Sequence, residues 1–159
     1  MRTYVLGFIF TADESGLLDV LLIRKQRPEQ QIGKLNGIGG KVEDGELPLY
    51  AMCRECAEET QLQFHPLDWT EFGTVQGTDF KIHLFYQLAL DIQSPYCRTT
   101  EGLLVRLSVD SISAYEHEFV NHTPACIMAA IAHHKTRNFN LHWVYDTCDE
   151  KTLDRSVKD

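Results

Sequence analysis

A pair of glycines followed by carboxylates at helical spacing constrains this chain more than any other feature. The stretch runs Gly39-Gly40-Lys41-Val42-Glu43-Asp44-Gly45-Glu46 into Arg54-Glu55-Cys56-Ala57-Glu58-Glu59-Thr60-Gln61-Leu62. The pattern predicts a helix from about Pro48 to Thr60. On it Glu55, Glu58 and Glu59 share one face, because positions three and four apart are neighbours on a helix. Like charges at that spacing repel. Glu43, Asp44 and Glu46 add more negative charge, Ala51 on the same face is neutral, and Arg54 is the single local counter-charge. A cation completes such a set, and clustered hard oxygens suit Mg²⁺, with Mn²⁺ as a substitute. Leu49, Met52, Cys53 and Cys56 form a separate apolar stripe at i, i+3, i+4 and i+7, which predicts that the next face of the helix packs on a core.

The joint spacing is Gly, five residues, Glu, seven residues, Arg-Glu, an apolar residue, any, Glu-Glu, any, Gly, apolar. It resembles the Nudix box, the signature of the Nudix (MutT-like) hydrolases. Gly40, Glu46, Arg54, Glu55, Cys56, Glu58, Glu59 and Leu62 match, whereas Gln61 stands where the family has Gly. The resemblance implies an α+β or α/β chain with the Nudix fold, a mixed β-sheet in an α/β/α sandwich. It implies that Glu58, Glu59 and the Gly39 carbonyl bind divalent metal, that Glu55 is a further ligand or the general base, and that Arg54 orients the carboxylates. Lys41 is then placed to touch substrate phosphate, and Glu46 to brace the loop against Arg54. Glu101, in a polar loop before Leu103-Leu104-Val105, stands where related enzymes place an extra metal ligand.

Composition narrows the setting. With 43% apolar and 24% charged residues in 159, the chain reads as one globular domain over 1–150, with 151–159 a frayed tail. The net charge of −8 argues against polymeric nucleic acid as a partner. Positive charge gathers instead between residues 24 and 41, in Arg24, Lys25, Arg27, Lys34 and Lys41, a patch suited to a small polyphosphate. Arg24 and Lys25 are therefore candidate substrate contacts. The apolar run Tyr4–Phe10 is too short for a membrane span and lacks a signal-peptide layout, so the expectation is a cytoplasmic protein with no membrane partner. A homodimer is compatible with the chain. Five cysteines, Cys53, Cys56, Cys97, Cys126 and Cys148, are read as reduced thiols, with Cys53 and Cys56 on the apolar stripe rather than in a zinc site.

Along the chain, strands are expected over Thr3–Thr11, Leu18–Arg24, Thr70–Gln76, Phe80–Leu90 and Leu103–Leu107, with turns at Asp13–Gly16 and Gly77–Asp79. Tyr96–Gly102 reads as irregular, and Val109–Tyr115 as a helical turn. A second, apolar helix is expected over Pro124–His134, and a last strand or packed tail over Phe139–Tyr145. His133-His134 close that helix where positive charge suits the dipole. Trp69 and Trp143 read as core or substrate wall.

Function then reads as metal-dependent hydrolysis of a small nucleotide, a nucleoside diphosphate linked to another group. Leu35-Asn36-Gly37 before the glycine pair is similar to the branch that destroys oxidised purine nucleoside triphosphates, although that branch commonly has Trp where Leu35 stands. Asn36 and Asn121 are candidate base readers, because an amide matches a purine edge with both donors and an acceptor. Asn121 also reads as a helix cap. Dinucleoside polyphosphates, ADP-ribose and nucleotide sugars fit the same chemistry. A nucleotide-sensing module without catalysis fits the same fold, and the retained Glu55, Glu58 and Glu59 argue against it.

Overall fold

The computed structural model describes residues 1–90, 98–99 and 101–144. The expected tail 151–159, Cys148, Tyr145 and, in the irregular segment Tyr96–Gly102, the residues Tyr96, Cys97 and Thr100 lie outside those residues. The elements in order are β1 (Arg2–Asp13), β2 (Gly16–Lys25), β3 (Leu35–Asn36), α1 (Pro48–Thr60), β4 (Thr70–Gln76), β5 (Phe80–Ala89), β6 (Gly102–Ser108), α2 (Thr123–Thr136) and β7 (Leu141–Val144). The helical turn expected at Val109–Tyr115 is a longer 3-10 run, Val109–Glu118. No helix of the described residues is long and apolar enough to cross a membrane.

One mixed sheet in the order β3-β2-β1-β5-β4-β7, with β6 also paired to β2, organises these elements. The β1–β2 hairpin closes at Asp13, whose carboxylate accepts from the Ser15 N–H at 2.7 Å. β1 then runs parallel to β5 from Arg2 to Thr11, and β4 parallel to β7. Alternation of side chains gives the sheet two apolar faces. On one, Phe8, Phe10, Leu22, Phe72, Leu84 and Tyr86 pack against α2 and the 3-10 run. On the other, Val5, Ile9, Leu21, Ile23 and Phe85 receive Ala51, Met52 and Cys56 of α1. Full burial of each such large side chain stabilises the fold by about 1.5–3 kcal/mol. The layers form the expected α/β/α sandwich, and Trp69 belongs to its core at 6% exposure. Burial raises the Cys56 and Cys126 thiols to about 11, in keeping with packing roles.

The feature that positions the site is a split in the sheet. β2 gives its first half to β1 (Leu21 opposite Ile9) and its second half to β3 (Ile23 opposite Asn36). The freed N-terminal half of β1 pairs instead with the chain just after β3. Gly7 N–H donates to Ile38 O at 2.7 Å, Val5 N–H to Gly40 O at 2.9 Å, and Val42 N–H to Thr3 O at 2.9 Å. The glycine-rich segment thus crosses from one strand to the other at the mouth of the split.

Candidate active site

Gly39 and Gly40 explain their own identity by what lies against them. A Cβ at Gly39 would overlap the Val5 carbonyl, and one at Gly40 would strike the Glu55 carboxylate. The loop is therefore pinned to β1 on one side and lies directly against the acidic face of α1 on the other. α1 is fixed by the complete burial of Ala51 and Met52, so Ala51, assigned from its spacing to the carboxylate face, belongs to the packed one.

The three box carboxylates sit in three different environments. Glu59 is only 3% exposed and accepts the Gly39 N–H at 2.9 Å. Burial raises its carboxyl to about 7, reinforced by Glu55 and Glu58 and opposed by the Gly39 N–H and by Lys25. Glu55 is half-buried and accepts from Arg54 Nη1 at 2.8 Å, while Glu58 is exposed, 3.6 Å from the same nitrogen. Arg54 is clamped by Glu46 through Nε–Oε1 and Nη2–Oε2, both 3.0 Å, and donates to the Lys41 carbonyl at 3.0 Å. That fork holds the Glu46 carboxyl below the ordinary range.

The donor set fits a divalent cation chemically. Glu55 and Glu58 share one guanidinium that Glu46 already engages, and buried Glu59 has a single loop amide as its hydrogen-bond donor. Among the described residues no three His, Cys, Asp or Glu side chains stand in a ready coordination cluster, consistent with Arg54 holding Glu55 and with Glu58 turned outward. The Gly39 contact found here is its N–H to Glu59, not the carbonyl expected to meet metal.

A cleft of about 510 Å³ opens beside the glycine loop, between the sheet and the start of α2. Tyr4, Phe80 and Ile82 give it apolar walls; Lys25, Asn36 and Asn121 are its polar members among the expected residues. His122 and Thr123 also line it. Nothing in the sequence marks Thr123; only its contact with Asn36, 87 residues away, gives it meaning. The helix N-cap is His122, not Asn121, and its ring lies tilted against Trp143, with centroids 4.3 Å apart.

The basic segment does not act as one patch. Arg24 donates to Gly33 O and pairs with Glu118 at 2.9 Å, outside the cleft lining. Lys34 donates to His117 O, and Lys41 lines a separate cleft with Arg2, Lys81 and His83. Lys25 is the cation in the main cleft. Glu101, expected near metal, is held by Lys25 at 3.5 Å and by Arg27. His133 and His134 correct the dipole expectation. Burial, with Arg137 nearby, pushes both below the ordinary histidine range, so the neutral ring and not the cation is favoured at the helix end.

Solved structures share this architecture at low sequence identity. A NUDIX hydrolase from Nitrosomonas europaea aligns at a TM-score of 0.70 and 15% identity, over 91% of this chain and 78% of that one. The NUDIX domain of Shewanella oneidensis NrtR, solved with ADP ribose, aligns at 0.62 and 16% identity, over 80% and 84%. A MutT/nudix family protein from Enterococcus faecalis aligns at 0.58 and 15% identity over 67% of this chain, which spans only 43% of that protein. No curated protein sequence matches this one. The family model for the NUDIX domain matches residues 1–121, the span that holds the split sheet, the glycine loop and the acidic helix, and the chain belongs to the Nudix hydrolase family.

Proposed function

We propose that this hydrolase cleaves the diphosphate linkage of a purine nucleoside diphosphate derivative, with a modified purine nucleoside triphosphate as the leading substrate, in the cytoplasm. The observation that carries the reading is the contiguity of two unlike surfaces at one loop. Gly40 touches the Glu55 carboxylate and also lines an apolar cleft that contains Asn36 and Asn121. A base held in the cleft therefore leaves its phosphates at the acidic face of α1.

Glu58 and Glu59, with the Gly39 carbonyl, would hold Mg²⁺ or Mn²⁺, which when bound neutralises phosphate oxygens. Glu55 takes the proton from an attacking water; the new O–P bond forms as the bridging P–O bond breaks and the leaving phosphate departs. Arg54, fixed by Glu46, keeps Glu55 directed at the loop. Lys25 faces the nucleotide, and Glu101 acts through Lys25 in place of the direct metal role that its sequence position suggests.

Formation of nucleotide products, separated by ion-exchange chromatography, from a panel of purine and pyrimidine triphosphates, ADP-ribose, a dinucleoside polyphosphate and a nucleotide sugar, with and without Mg²⁺, tests the reading. Metal-dependent turnover led by a purine triphosphate is expected. Turnover led by ADP-ribose would move the chain to the alternative substrate class. Binding without turnover of any member would make it a sensing module.

A further inference from the structure

Asn36 is not free to present either end of its amide. The Gly37 N–H lies 2.9 Å from its Oδ1, and a backbone N–H can only donate, so the oxygen must face it. The Thr123 hydroxyl donates to the same Oδ1 at 2.9 Å. Thr123 is 4% exposed and is the first residue of α2, so its hydroxyl is fixed by the helix rather than by solvent. Among the described residues the Asn36 nitrogen donates to nothing, and Asn36 lines the cleft. The amide therefore offers the cleft donors only.

From this we infer that Thr123 is a specificity-determining positioning residue: it locks Asn36 with its amide nitrogen toward the ligand, so that the cleft selects a 6-oxopurine over a 6-aminopurine. The inference rests on the proposed nucleotide reading of the cleft. The usual amide contact with adenine is bidentate and needs the oxygen to accept from N6 while the nitrogen donates to N7. With Oδ1 filled twice over, that pairing is closed. A guanine edge carries two acceptors, O6 and N7, and takes the same NH₂ without conflict. The rest of the lining agrees: among the described residues no carboxylate lines the cleft, and its charged member Lys25 is also a donor.

Calorimetric titration with GMP and AMP reads the lock without requiring chemistry, and kcat/KM for dGTP and dATP reads it through turnover. The wild type should favour guanine at least tenfold in both. Thr123→Val, which keeps the shape and removes the hydroxyl, should bring the ratio within about threefold, because Oδ1 keeps the Gly37 N–H but regains a lone pair that can accept from a 6-amino group. Thr123→Ser should keep the wild-type ratio, which a merely structural role for the methyl group would not. An adenine preference in the wild type, an unchanged ratio in Thr123→Val, or no binding of either nucleotide would overturn the lock. Selective GMP binding with no nucleotide turned over would keep the lock and overturn the hydrolytic reading alone.

Discussion

α1 and α2 cover opposite faces of one sheet, each carries a proline in its first turn, and each ends on a left-handed residue that is not glycine. α1 buries a carboxylate, Glu59, whereas α2 buries an imidazole, His133, with His134 beside it. The solvation problem is the same and the chemistry is not. Histidine ordinarily titrates near 6.5, so a modest shift leaves the ring neutral at neutral pH and the cost of burying charge is avoided. A carboxylate raised to about 7 is still ionised in half of the molecules there. The Gly39 N–H and Lys25 offset only part of that cost, and the neighbouring Glu55 and Glu58 increase it. A helix kept in this state is carrying a requirement other than stability.

The largest effect should separate the two helices by function. Glu59→Gln and Glu58→Gln should each lower metal-dependent turnover about a thousandfold, near 4 kcal/mol of transition-state stabilisation, with circular dichroism unchanged. His133→Gln and His134→Gln should change turnover less than threefold. Comparable losses from the histidine variants would break the contrast, since α2 would then belong to the machinery as well.

The second effect is one of pH, measured by urea unfolding in chelator. Glu59 has a folded pKa above its unfolded value, so its contribution is fully present below about 4.5 and is lost as pH rises through about 7. The shift corresponds to at most about 3 kcal/mol. Glu59→Gln should therefore stabilise the metal-free protein at pH 8 and leave it nearly unchanged at pH 4.5. The histidines act with the opposite sign. Their folded pKa values lie below the unfolded one, so their contribution is present above about 6.5 and is lost as pH falls through the depressed values. Replacing both with Gln should flatten the acid side of the profile. A wild-type profile that Glu59→Gln leaves unaltered at pH 8 would show that the carboxylate is not strained by its burial.

The contrast also marks what the sequence could and could not disclose. α1 was readable to its ends, Pro48–Thr60, because the carboxylate spacing and the apolar stripe repeat within one short window. β4, Thr70–Gln76, was readable for the same local reason. The two-residue β3 was not, because Leu35–Asn36 is a strand only through its pairing with Ile23 and Arg24. Positive charges between 24 and 41 could be counted, but not their directions. Adjacent residues on a strand point to opposite faces, so Lys25 enters the cleft while Arg24 turns to Glu118. Asn36 was legible as a candidate reader of a base; its polarity was not, because Thr123 lies 87 residues away in sequence. The shifts of His133 and His134 likewise depend on burial against Tyr86 across the layers, with ring centroids 5.8 and 6.0 Å away, and no local pattern announces it.

The smallest effect tests where the helices are alike. Gln61 has φ 63° and closes α1 through its N–H to Ala57 O; Arg137 has φ 59° and closes α2 through its N–H to His133 O. A side chain in the left-handed region costs about 1–2 kcal/mol, and glycine removes that cost while adding freedom to the unfolded chain. Gln61→Gly and Arg137→Gly should each stabilise by about 0.5–1 kcal/mol in thermal or urea melts at pH 8. Agreement between the two sites is expected if backbone geometry alone sets the effect. They should part at low pH, because Arg137 also depresses His133 and His134, so removing its charge relieves them there and Arg137→Gly gains further. Arg137→Asn, which tolerates the left-handed region but also lacks the charge, should share that acid-side gain. A gain at Arg137→Gly that is equal at pH 8 and pH 5 would show that the cap, and not the charge, is all that the arginine contributes to α2.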